Sequence, residues 1–123
     1  MENSEIEAMI REYFDAMENR DLEKCVGFYQ QDATIKFQTG IFRGRQAIVD
    51  WHKDRFKADL RILGIDKIRA EKDHVRVDGV VTSKRLKAWK IDKISGKVNF
   101  TFENGKIKRS EFGMRVYNPL EGW

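Results

Sequence analysis

The stretch FTFENGKIKRSEF, Phe100 to Phe112, decides the fold. Asn104-Gly105 at its centre suits the left-handed backbone of a two-residue hairpin turn, and polarity alternates on both sides of it. In the first arm, "GKVNFTFE", Val98, Phe100 and Phe102 fall on one face, with Asn99, Thr101 and Glu103 on the other. In the second arm, "KIKRSEFGMRVYN", Ser110, Phe112 and Met114 share a face opposite Arg109, Glu111 and Arg115. Two antiparallel strands with one buried face follow. A one-residue slip near Gly113 or at the turn would reverse the facings and bring Glu111 inward.

Upstream lies a second strand pair, "DLRILGIDKIRAE" and "HVRVDGVVTSKRL", split by the charged turn at Lys72 and Asp73. Helices come before it. In "SEIEAMIREYFDAMENR", Ser4 and Glu7 have the spacing of a capping box, and Ile6, Met9, Ile10, Tyr13, Phe14 and Met17 form one apolar stripe. Asp21 can cap a shorter second helix carrying Leu22, Cys25, Val26, Phe28 and Tyr29. "ATIKFQ" reads as a short strand, preceded by Asp32, which would cap or brace the turn. The glycines read as turn residues, Gly40 and Gly44 among them. "RQAIVDWHKDRF" is a third helix whose buried face holds Ile48, Trp51 and Phe56, with His52 between them. The order α-α-β-α-β-β-β-β predicts an α+β domain, one curled antiparallel sheet with helices on its inner face.

With 123 residues the chain is expected to form a single domain over 1–123. No apolar run is long enough to span a membrane, and "MENSEIEAM" lacks the apolar core of a secretion signal. The lone Cys25 suits a reducing cytoplasm and reads as a packed thiol. Two histidines without ligand spacing give no metal site, and no glycine pattern marks a phosphate loop, so no cofactor is expected. The formal charge of +4 is concentrated in "SKRLKAWKIDKISGK" and "GKIKR". A basic face around Trp89 could bind nucleic acid, but the solvated outer face of a strand hairpin is the favoured reading.

Helices joined by "NRDLEK", then "FYQQDATIKF", "FRGRQAI" and the closing hairpin, resemble the nuclear transport factor 2-like superfamily over roughly Ile6 to Tyr117. That superfamily is a cone-shaped α+β barrel that includes ketosteroid isomerases and SnoaL-like cyclases. The resemblance implies a curved antiparallel sheet wrapped around N-terminal helices, with an internal pocket. It also implies that the Val98 and Ser110 faces turn into the cone. By that alignment Tyr13 stands where isomerases place an oxyanion donor, Phe37 where they place the base, and Val98 where they place a protonated Asp. Phe37 cannot abstract a proton, so the isomerase mechanism is not expected. Tyr29 and His52 fall at positions that buttress the first-helix tyrosine.

The expected site therefore has Tyr13 and His52 in catalytic roles, His52 having an ordinary pKa near 6.5 that suits proton transfer. Tyr29, Phe37, Val98, Phe100, Ser110, Phe112 and Met114 would line the ligand. The structural alternatives are a core histidine and a buried tyrosine, each satisfied by one partner. The expected partner is a small apolar or cyclic molecule, undergoing at most cofactor-free isomerase, lyase or cyclase-type chemistry. The alternative is a non-catalytic binding or scaffold module, homodimeric through the outer face bearing Thr101, Arg109, Glu111 and Arg115.

Overall fold

Helix α1 (Asn3–Glu18) buries Ile6, Ile10, Tyr13, Phe14 and Met17 of the expected stripe, together with Ala16, while Met9 is half-buried against the core. Its start differs from the expected one. The helix begins at Asn3 with Glu2 as N-cap and no side-chain capping bond, so Ser4 lies inside the first turn and the capping box does not form. Helix α2 (Leu22–Gly27) is capped as expected, Asp21 accepting from the Lys24 amide at 3.2 Å. The computed structural model describes residues 2–114. The remaining elements are β1 (Tyr29–Phe37), β2 (Gly40–Arg43), α3 (Arg45–Lys57), β3 (Arg61–Glu71), β4 (His74–Thr82), α4 (Lys84–Ala88), β5 (Ile94–Glu103) and β6 (Lys106–Met114).

One six-stranded sheet runs in the order β2-β1-β6-β5-β4-β3. It is curved and not closed, an open cone with β2 and β3 as its edges. Every ladder is antiparallel except β1–β6, which is parallel. Hairpins impose antiparallel pairing only on strands they join directly, and β1 and β6 are separated by most of the chain. Helix α1 packs toward β3 and α3 toward β1 and β2, so the helices fill the concave side.

The closing hairpin forms as read, with φ of 53° at Asn104 and 77° at Gly105. Val98 pairs with Phe112 and Phe100 with Ser110, and Val98, Phe100, Phe102 and Ser110 are all buried. The pairing is irregular between Thr101–Arg109 and Phe102–Ile107, so the extra residue falls at Lys108, and both Ile107 and Ser110 are buried. Beyond it Glu111 pairs with Asn99 and holds Arg109 Nε at 2.8 Å, so the slip that would bring it inward does not occur. Of Met114 only the backbone, paired with Gly96, is described; its side chain and Arg115 lie outside the described residues.

Three local expectations need correction. β1 starts at Tyr29, ahead of the polar Gln30, Gln31 and Asp32, because pairing to β6 extends it; Asp32 is an exposed strand residue. The stretch around Trp89 is not a hairpin. Ser83 caps α4 by accepting from the Leu86 amide at 3.2 Å, and Thr82 donates to the Asp92 carbonyl at 2.6 Å. Finally, Gly64, Gly79, Gly96 and Gly113 sit within strands, not at turns. A Cβ on Gly79 would come within 2.7 Å of the Gly64 carbonyl oxygen, so β3 and β4 approach there more closely than any side chain allows.

Candidate functional site

Tyr13 from α1, Tyr29 from β1, His52 from α3 and Ser110 from β6 meet in the core, none of them accessible to solvent. Tyr13 Oη lies 2.8 Å from His52 Nε2 and 2.9 Å from Tyr29 Oη, which lies 2.9 Å from Ser110 Oγ. His52 Nδ1 is 2.7 Å from the Ile48 carbonyl oxygen one turn back. That carbonyl can only accept, so Nδ1 carries the proton and neutral His52 presents a lone pair at Nε2. Direction then follows along the whole chain. Tyr13 donates to His52, Tyr29 donates to Tyr13, and Ser110 donates to Tyr29.

Burial sets the charge state. It pulls His52 down to about 4, against a raising contribution from the Ile48 carbonyl, so the imidazole is neutral at pH 7. Burial likewise holds the Tyr13 and Tyr29 phenols above their ordinary range. Every proton in the chain is spent inside it.

The cavity lies beside this cluster. It has a volume of about 510 Å³, a size typical of small-molecule sites. Phe14 and Met17 of α1, Trp51 of α3, Ile62 and Ile65 of β3, and Val77 and Val81 of β4 make its wall largely apolar. Gly64, Gly79, Gly96 and Gly113 also line it, so the missing side chains leave room there. The rim is Leu86, Trp89 and Ile91, with Trp89 75% exposed.

Of the expected ligand-facing residues, Phe37, Val98 and Phe112 line the cavity. Tyr13, Tyr29, His52, Phe100 and Ser110 do not: they are packed behind it. Trp51 connects the two layers. Its ring meets His52 edge-on at 4.9 Å and lies against Phe112 at 4.6 Å.

The polar groups of the cavity wall were not singled out from sequence. Arg55 stacks its guanidinium on Phe37 at 4.3 Å, and Gln38, Ser83, Arg85 and Lys97 complete the set. Arg55 follows Trp51 by four residues, which places both on one side of α3; that spacing was the available signal. Asp54 bonds Arg55 and takes both arms of Arg85, at 2.9 and 3.1 Å. Those bonds, Arg85 foremost, hold its carboxyl down at about 2. Among the described residues no Asp, Glu or His lines the cavity, and no three metal-binding side chains converge.

A search of curated proteins finds no match. Solved structures of the same fold are many. SalBIII, an epoxide hydrolase/cyclase-like enzyme with a role in pyran ring formation in polyether salinomycin, superposes with a TM-score of 0.80 at 20% identity, covering 94% of this chain and 95% of its own. A candidate polyketide cyclase from Sinorhizobium meliloti gives 0.76 at 20% identity, covering 86% and 94%. A de novo designed protein with a curved sheet gives 0.77 at 21% identity, covering 98% and 90%. Similarity at this identity, to a design as readily as to enzymes, concerns fold alone. The sequence itself goes further: residues 10–110 match the SnoaL-like domain model, so the chain belongs to the SnoaL-like family within the nuclear transport factor 2-like fold.

Proposed function

We propose that the protein binds a small, largely apolar molecule, cyclic ones included, in the cone cavity. The observation that carries this reading is the 510 Å³ cavity itself, walled by apolar residues from α1, α3 and the curved sheet. Cyclic ligands are included in the proposal because the chain is a SnoaL-like family member and proteins of this fold include SalBIII and a candidate polyketide cyclase.

Binding is favoured over turnover. Acid–base chemistry through Tyr13 and His52 needs a free proton or lone pair within reach of the ligand. Here the Tyr13 proton is committed to His52, and neither residue lines the cavity. Catalysis by this pair would require the hydrogen-bonded chain to open first.

A neutral fluorescent probe, N-phenyl-1-naphthylamine, tests the reading. Saturable one-to-one fluorescence enhancement is expected, weakened about tenfold or more in Val98→Phe, whose ring would occupy the cavity. No enhancement with the wild-type protein would remove the reading.

A second copy on the outer sheet face is the companion proposal. Arg76–Asp78 and Arg109–Glu111 are paired along their own strands, so a second sheet could cover them without stranding those charges. Light scattering at the monomer mass of 14.5 kDa would exclude it.

A further inference from the structure

We propose that the cavity selects an apolar monocarboxylate, its carboxylate received by Arg55 and Trp51. This rests on the ligand-binding reading above and adds a substrate class to it.

The side chain of Arg55 is 12% exposed. Its guanidinium lies over the Phe37 ring at 4.3 Å and near the Trp51 ring at 5.6 Å. A ring contact of this kind does not consume the guanidinium N–H donors. Only Nη2 is engaged by protein, on Asp54. Nε is buried with no partner, and Nη1 makes no hydrogen bond among the described residues. Trp51 Nε1, one turn back on the same helix, is also buried without a partner.

Buried donors without acceptors are rare in folded proteins, and two beside one cavity call for an oxygen. Nη1 is the donor not sealed by neighbouring atoms; Nε and the indole N–H are sealed as the side chains stand, so the proposal requires Arg55 and Trp51 to turn toward a bound oxygen.

Charge selects the kind of oxygen. The ionisable residues lining the cavity are Arg55, Arg85 and Lys97, all cationic. Asp54, the nearby acid, is shared between Arg55 and Arg85, so those three groups carry a net single positive charge, and Lys97 adds a second. An anion is drawn by that surplus, and a monocarboxylate offsets the unit at the Arg55 end. Planar carboxylate geometry also matches an in-plane guanidinium edge, and charge-assisted bonds of this kind are the stronger ones. The rest of the wall is apolar and takes the hydrocarbon body.

Displacement of N-phenyl-1-naphthylamine by decanoate and by decanol at pH 7.5 compares the same chain length with and without charge. Decanoate should compete about tenfold or more better than decanol. The ratio of the two should fall toward one in Arg55→Met and decline by a smaller factor in Trp51→Phe, each variant first shown to be folded by circular dichroism. If Arg55→Met does not fold, Trp51→Phe decides alone, and an unchanged ratio there overturns the assignment. Equal competition in the wild type, or a ratio unmoved by Arg55→Met, would overturn carboxylate selection and leave the cavity reading standing. Failure of the fluorescent probe itself to bind would remove both.

Discussion

Tyr13 has one proton to give, and His52 takes it. The commitment originates at the Ile48 carbonyl, which fixes the His52 tautomer and thereby orders three hydroxyls in sequence. A buried chain satisfied in this way specifies how α1, β1, α3 and β6 dock, since each contributes one group. Its pH dependence has a definite sign. The folded His52 pKa of about 4 lies below the unfolded value near 6.5, so the unfolded chain binds the extra proton first as pH falls. The stabilisation is complete above about pH 6.5, is lost between about 6.5 and 4, and amounts to on the order of 3 kcal/mol. Urea denaturation at pH 7 and pH 4 should show the stability gap between wild type and His52→Gln narrowing by about that amount, whereas a pH-independent gap would contradict a neutral, buried His52. At this scale Tyr13, Tyr29 and His52 could be grouped from sequence because the family alignment assigns them corresponding positions. The place of Ser110 depended on the β5–β6 register, and the direction of the protons on a helix carbonyl, neither of which a residue pattern displays. Arg55 was hidden for a different reason. A charged residue on a helix reads as solvent-facing, and the rings of Phe37 and Trp51 together with the Asp54 carboxylate make its burial tolerable.

Elements differ in how openly the sequence announces them. The β5–β6 hairpin was legible because its turn dipeptide and its alternation agree, and α1 because its stripe runs for about three turns. The short elements were not. β2 has only four residues, and α4 has five, inside a lysine-rich run that equally suits an exposed strand. α4 is held by its Ser83 cap and by Arg85 on Asp54, tertiary features with no sequence period. The strand-interior glycines carried a signal that was read as turns. Glycine amid alternating apolar residues marks a close backbone approach, and Gly79 shows what that approach requires. Gly79→Ala forces its Cβ against the Gly64 carbonyl, and chemical denaturation should report a loss of roughly 1–3 kcal/mol. An unchanged midpoint would mean that β3 and β4 can separate there without penalty.

The whole molecule is a sheet bent around two layers of contents. Behind lies the closed aromatic and hydrogen-bonded layer of Tyr13, Tyr29, His52 and Phe100; in front lies the cavity lined by Trp51, Phe37 and the strand glycines. The superfamily resemblance disclosed the cone, but whether the aromatic residues would fill it could not be read from composition. The answer turns on four glycines and on the packing of Phe100 against Tyr13 and Phe14, which draws bulk toward the rear. The proposed ligand site in the front layer is tested most directly by a two-dimensional ¹H–¹⁵N NMR titration with N-phenyl-1-naphthylamine. Saturable shifts are expected at the Trp51 indole and at the amides of Gly64, Gly79, Gly96 and Gly113, with the outer-face amides of Arg76 and Arg109 unmoved. Shifts confined to the outer face, or none at saturating probe, would contradict the proposed site.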